Sequence, residues 1–213
     1  MANLESKVTI EFKAFAEMGT TDASGRKNGE NDSRVPANAN KEPGKQHILV
    51  WPSTPKIAQS IEVNYSTWEL QHTNYQPSAF GNRSTPVVTI SGPWFSRNEE
   101  EAKKTLTAIH LLRSATSMFY GREDKNKGTP PPIGRLNAHG LYANTPVVVK
   151  TFQYDYPNDV DYITVDMFNG KQSVPVLFEM SVSLIVQINA VEAVKDYTLE
   201  NFYTGKLLGN GYI

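Results

Sequence analysis

PVLFEMSVSLIVQI, residues Pro175 to Ile188, decides the fold. Val176, Phe178, Met180, Val182, Leu184 and Val186 occupy every second position of it. Successive side chains of a strand point to opposite faces, so this period predicts a long strand with one continuous apolar face. The other row, Leu177, Glu179, Ser181, Ser183, Ile185 and Gln187, is only partly polar. Its apolar members Leu177 and Ile185 make this strand a candidate subunit interface. A strand of this length needs neighbours and a covering layer.

The neighbours lie upstream. Pro146 to Asp155 (PVVVKTFQYD) and Asp161 to Asp166 read as strands, and Asn169-Gly170 is a strong hairpin signal after them. Pro86 to Ser91 (PVVTIS) is a strand opening on a proline, where a missing donor is tolerated. Ile61 to Leu70 (IEVNYSTWEL) alternates, with Ile61, Val63, Tyr65 and Thr67 on one face; Trp68 and Leu70 suggest a register change through a bulge. HILVW (47–51) is a short strand ended by Pro52, and Lys7 to Glu17 (KVTIEFKAFAE) alternates almost strictly, with Val8, Ile10, Phe12, Ala14 and Ala16 on one side. Between these two, Gly19 to Gln46 is rich in Gly, Asn, Ser, Asp, Lys and Pro, with Val35 its one large aliphatic residue. Such a segment cannot bury enough apolar surface to offset its ordering entropy, which predicts a long flexible polar loop over about 19–46.

The covering layer is a helix, Arg97 to Tyr120. Ser96 with Glu99 three residues on has the spacing of a capping box, and Glu99, Glu100 and Glu101 place negative charge in the first turn, where the helix dipole favours it. Ala102, Leu106, Ile109, Leu112 and Phe119 recur at three- and four-residue steps and form the packing face. Many strands, one flanking amphipathic helix at about 97–120 and no βαβ alternation define an α+β, mainly β fold, an antiparallel sandwich or barrel.

Composition excludes several chemistries. With no cysteine among 213 residues there is no disulfide, thiolate metal site or catalytic thiol. The formal charge of −1 gives no general attraction for phosphate. The first residues, MANLESKVTIEF, lack a signal-peptide core, and no apolar run approaches the ~20 residues that span a bilayer. His47, His72, His110 and His139 share no HxH or HExxH spacing, and neither a G-x-S-x-G elbow nor a phosphate loop is present. No catalytic, metal or cofactor site is expected. Asp155, Asp159, Asp161 and Asp166 do not follow the EF-hand spacing, so a solvated acidic turn is the plainer reading. From Phe152 to Glu200 eight acids stand against two bases, Lys171 and Lys195. A wall of that sign would let a polyanion pass without binding it, so the four aspartates are candidate lining residues of a channel.

The chain resembles the tail-tube-like baseplate proteins, or tube initiators, of contractile-tailed bacteriophages. The likeness is carried by SIEVNYSTWELQHTNYQPSAFGNRSTPVVTISGPW, EEEAKKTLTAIHLLRSATSMFYG, GTPPPIGRLNAHG, TPVVVKTFQYDYPNDVDYI, VPVLFEMSVSLIVQI and DYTLENFYTGKLLGNGYI, in that order, covering about residues 57 to 213. It implies a single tail-tube-like domain with a peripheral C-terminal tail at about 197–213. It further implies a virion protein of the tail and baseplate, assembled in the bacterial cytoplasm. Six copies would form a ring on the baseplate hub protein, template the first ring of tail tube protein and line the DNA channel without binding DNA specifically. No enzyme activity, cofactor or membrane is implied. The major tail tube protein and a tube-end component of a phage-derived contractile injection particle share these expectations. A carbohydrate-binding β-sandwich, using exposed aromatics such as Trp51, Trp68 or Trp94, belongs to a different class.

Overall fold

The computed structural model describes residues 8–12, 48–118, 128–167, 170–209 and 211. Lys7, residues 13–17 of the first expected strand, the 19–46 loop, His47, Phe119, Tyr120 and Asn169 lie outside them. The described residues form eleven strands: β1 (Thr9–Glu11), β2 (Ile48–Val50), β3 (Lys56–Ser60), β4 (Val63–Thr67), β5 (Ser78–Arg83), β6 (Val87–Phe95), β7 (Gly134–Ala138), β8 (Tyr142–Asp155), β9 (Tyr162–Met167), β10 (Gly170–Pro175) and β11 (Leu177–Val186). Three helices join them: α1 (Glu99–Ala115), α2 (Ala190–Asp196) and α3 (Leu199–Thr204). Strands dominate, every pairing is antiparallel, and the α+β, mainly β expectation holds.

The run that decided the fold splits in two. Val174 and Pro175 close β10, paired with Ile163 and Tyr162 of β9, and the chain turns at Val176 before β11 begins. From there the alternation predicted the burial: Phe178, Met180, Val182, Leu184 and Val186 are all at most 2% exposed. β11 is central in a seven-stranded sheet of order β2-β1-β7-β8-β11-β6-β3. The sheet curls over this row. The Tyr142 hydroxyl of β8 donates to Gln59 Oε1 of β3 at 3.0 Å, although β11 and β6 lie between those strands in the sheet. Inside the curl, Trp51, Trp94 and Phe178 stack in sequence, with centroids 6.0 and 6.4 Å apart.

β6 runs through Pro93 to Phe95, beyond the expected end at Ser91. Proline is tolerated there because β3 pairs with β6 only as far as Ser91, which leaves the outer edge of β6 without a strand to receive an N–H. β7 and β8 are joined by a tight turn in which His139 (φ 47) and Gly140 (φ 73) both take left-handed backbone and Leu141 N–H donates to Ala138 O at 3.0 Å. Positive φ at both central positions matches the turn's twist to that of the strands. Sequence periodicity does not reveal β3, β5 or β7, and β8 begins at Tyr142 rather than Pro146.

The helix starts and stops inside the expected limits. Its cap is Asn98, whose Oδ1 accepts from Glu101 N–H at 2.8 Å, while Glu101 Oε2 accepts from Arg97 N–H at 2.9 Å. Ser96 is not the cap; it is fully buried, its hydroxyl 3.0 Å from that of Thr105. Thr116 is the C-cap, so the helix ends at Ala115 and not at Tyr120. Ile109 and Leu112 join the main core. Ala102 and Leu106 meet Ile163, Val165 and Val174 of the β9–β10 hairpin in a second, smaller cluster. The C-terminal residues return to the sheet: Leu207 is buried and Gly209 O accepts from Ala143 N–H at 3.0 Å.

Two measurements check these assignments. Asn98→Ala should cost about 1 kcal/mol in urea unfolding, the usual loss of a side-chain N-cap. Burial raises the Tyr142 phenol above its ordinary 10.0. The unfolded phenol then ionises first, so stability is lost as pH rises above that value. Tyr142→Phe should flatten this alkaline loss, read as unfolding midpoint against pH.

Candidate functional site

Among the described residues no three His, Cys, Asp or Glu side chains gather in a way that would hold a metal ion. His110 is exposed on α1, His72 sits at the tip of the β4–β5 hairpin and His139 in the β7–β8 turn, so the described histidines lie on three different elements. Two concave features among the described residues are open. One, of about 290 Å³, is formed at the hairpin tip by Glu69, Leu70, Thr73, Asn74, Tyr75 and Gln76. The other, of about 500 Å³, lies at the hairpin root and includes Glu62, Ser84, Lys150 and Ile185. No described helix is long and apolar enough to cross a membrane. The molecule offers surfaces, and three of them stand out.

The first is the outer face of the central sheet. Register places Ser181 between Ser91 and Gln153, and Ser183 between Thr89 and Thr151. The Thr89 and Ser183 hydroxyls are 3.0 Å apart. Ile185 lies further along, between Val87 and Val148, as a small apolar spot on a hydroxyl-rich wall. Leu177 is at the opposite end of β11, in register with Phe95 and 41% exposed. The two interface candidates therefore share a face but sit at its two ends. Between Thr151 and Val149 the β8 register shifts against β11, which makes Lys150 the extra residue of a bulge at the hairpin root.

The second surface is acidic. Asp155 ends β8 directly opposite Glu179, and Asp159 and Asp161 follow in the link to β9. Asp166 is set apart: on the β9–β10 hairpin it faces Lys171 in register. Beside this end, Phe152, Tyr154, Tyr156 and Tyr162 form a run of ring contacts 5.1–6.4 Å apart. Arg113 of α1 stacks over Tyr154 at 5.6 Å and donates to its hydroxyl. Desolvation by burial, then Tyr154 nearby, raise the Tyr156 phenol, which stays neutral and apolar in character.

The third surface was not legible in the sequence. β4 and β5 pair only with each other, and every residue of β4 is exposed. Alternation in IEVNYSTWEL predicts one buried face; the structure exposes both. Tyr65 and Phe80, 61% and 64% exposed, form an edge-to-face pair at 6.1 Å with nothing packed over them. The bulge expected near Trp68 lies instead opposite Asn64 and Tyr65, where Gly81 is the extra residue of β5. A Cβ there would stand 3.0 Å from Asn64 O, so glycine permits the close approach. Of the three tryptophans, Trp51 and Trp94 are buried and Trp68, on this arm, is 58% exposed.

Compared with known proteins, the chain matches no protein-family model and no curated protein. Because Phe80 is 64% exposed, Phe80→Ser should change the thermal stability of the isolated protein by no more than about 0.5 kcal/mol, the range of ordinary surface substitutions.

Proposed function

We propose that this chain is a structural, non-enzymatic ring subunit of a contractile phage tail, seated where baseplate hub meets tail tube and templating the first tube ring. The observation that carries the reading is the β4–β5 arm: a two-stranded ribbon with aromatic side chains on an otherwise finished core. A two-stranded hairpin alone is marginal in water, so an arm of this kind is expected to be completed by neighbouring subunits. The particular family rests on the resemblance of the six sequence segments in their order and spacing, with which a mainly antiparallel sheet is compatible.

Under this reading the hydroxyl wall and the acidic end have roles. A wall mainly of serine, threonine and glutamine, with carboxylates at one rim and the separated Lys56 and Lys150 on the described outer face, holds phosphate weakly, and DNA slides past it. Templated assembly needs only that the ring present a rim complementary to the next ring. The same features suit the major tail tube protein, which would polymerise alone.

Electron microscopy of the purified protein, alone and mixed with its candidate tube protein, separates these cases. Tubes that form only in the mixture are the expected result. Long tubes from this protein alone would make it the tube subunit, and an inert monomer in both samples would overturn the ring reading. In assembled particles, replacing Asp155, Asp159 and Asp161 by lysine should slow DNA ejection; unchanged ejection would remove the acidic rim from the mechanism.

A further inference from the structure

Among the described residues two surfaces have no covering layer, and they differ in kind. One is the β4–β5 arm, with Tyr65, Trp68, Leu70, Tyr75 and Phe80 each more than half exposed. The other is the pair of C-terminal helices, in which no residue is buried; Val191, Val194, Leu199, Phe202 and Tyr203 are 56–83% exposed. Aromatic side chains bury about 150–250 Å² each, so at these exposures the four rings of the arm leave roughly 500 Å² and the two of the helices roughly 300 Å², to which Leu70 and the aliphatic Val191, Val194 and Leu199 add. A standard protein interface takes about 800 Å² from each partner. A monomer's largest exposed apolar patch is about 300–600 Å².

The two surfaces emerge side by side. The arm leaves the sheet through Ser84–Pro86, and the helices follow Gln187, whose N–H donates to Pro146 O, while Val186 N–H donates to Pro86 O at 3.1 Å. Rooted together, they still do not cover one another. Elsewhere in the same chain the matching problem is solved internally: α1 lays Ala102 and Leu106 on Ile163, Val165 and Val174 of the β9–β10 hairpin. The arm is a hairpin without its helix, and α2–α3 are helices without their hairpin.

We infer that the arm of one copy docks on the α2–α3 surface of the next copy, a head-to-tail contact between two different patches. Such a contact is heterologous, and it closes into a ring when the rotation between copies allows. The inference rests on the ring reading for closure, but the contact itself stands on the two surfaces.

Sedimentation of the purified full chain tests it, using an arm variant (Tyr65→Ser with Phe80→Ser) and a tail variant (Phe202→Ser with Tyr203→Ser), each first shown to melt like the parent. The parent should self-associate, and each variant should do so at least tenfold more weakly. An equimolar mixture should recover one contact, the intact arm of the tail variant on the intact helices of the arm variant, giving a dimer and nothing larger. A tail variant that assembles like the parent while the arm variant does not would mean that arm pairs with arm, and would overturn the proposal. A parent that stays monomeric at all concentrations would overturn it too. Tube nucleation that survives in both variants would sink this contact and leave the ring reading standing.

Discussion

The buried row of β11 holds the molecule together. β11 is hydrogen-bonded along both edges, to β6 and to β8, and five of its side chains fill the interior. A slip of one residue would turn Glu179, Ser181 and Ser183 inward and Phe178, Met180 and Val182 outward, so the register is fixed by burial. The partners inherit that register: Trp94, Ile90 and Val88 face inward on β6 because they sit opposite Phe178, Val182 and Leu184. The β8 bulge at Lys150 lets one long strand serve both ends of β11. α1 then closes the system, one part of its length belonging to the main core and another to the β9–β10 hairpin.

Against this closed interior the outside is incomplete. α1 satisfies one hairpin, while a second hairpin and two short helices carry aromatic and aliphatic side chains into solvent. The free energy that stabilises the fold comes almost wholly from the curled sheet and α1. The arm and C-terminal helices bury little within the chain and leave apolar side chains in solvent.

The parts legible in the sequence are those where burial and pattern agree. β11, β6 and the helix body follow from period two or period 3.6. β3 (KIAQS), β5 (SAFGNR) and β7 (GRLNA) are short and rich in small or polar residues, so their alternation carries no contrast. Ser96 with Glu99 has the capping spacing, but so does Asn98 with Glu101, a pair outside the sequence-based expectation. Tertiary structure chooses: Ser96 is drawn into a buried bond with Thr105, leaving Asn98 to cap. The arm was misread for a deeper reason. Alternation says which side chains share a face and nothing about whether a partner covers it. Likewise the four aspartates form one cluster in sequence, and pairing sends Asp166 to a lysine and Asp155 to Glu179, leaving Asp159 and Asp161 in the link between the strands.

The three tryptophans divide the molecule optically. Trp51 and Trp94 lie edge to face inside the curl, both indole N–H groups without a hydrogen-bond acceptor among the described residues, in a dry environment with an adjacent ring to quench or couple to. Trp68 stands on the arm in water. Emission from the interior pair therefore follows the integrity of the sheet, while emission from Trp68 follows the solvation of the arm. One chain, unlabelled, carries separate reporters for the folding of its interior and for the exposure of its arm.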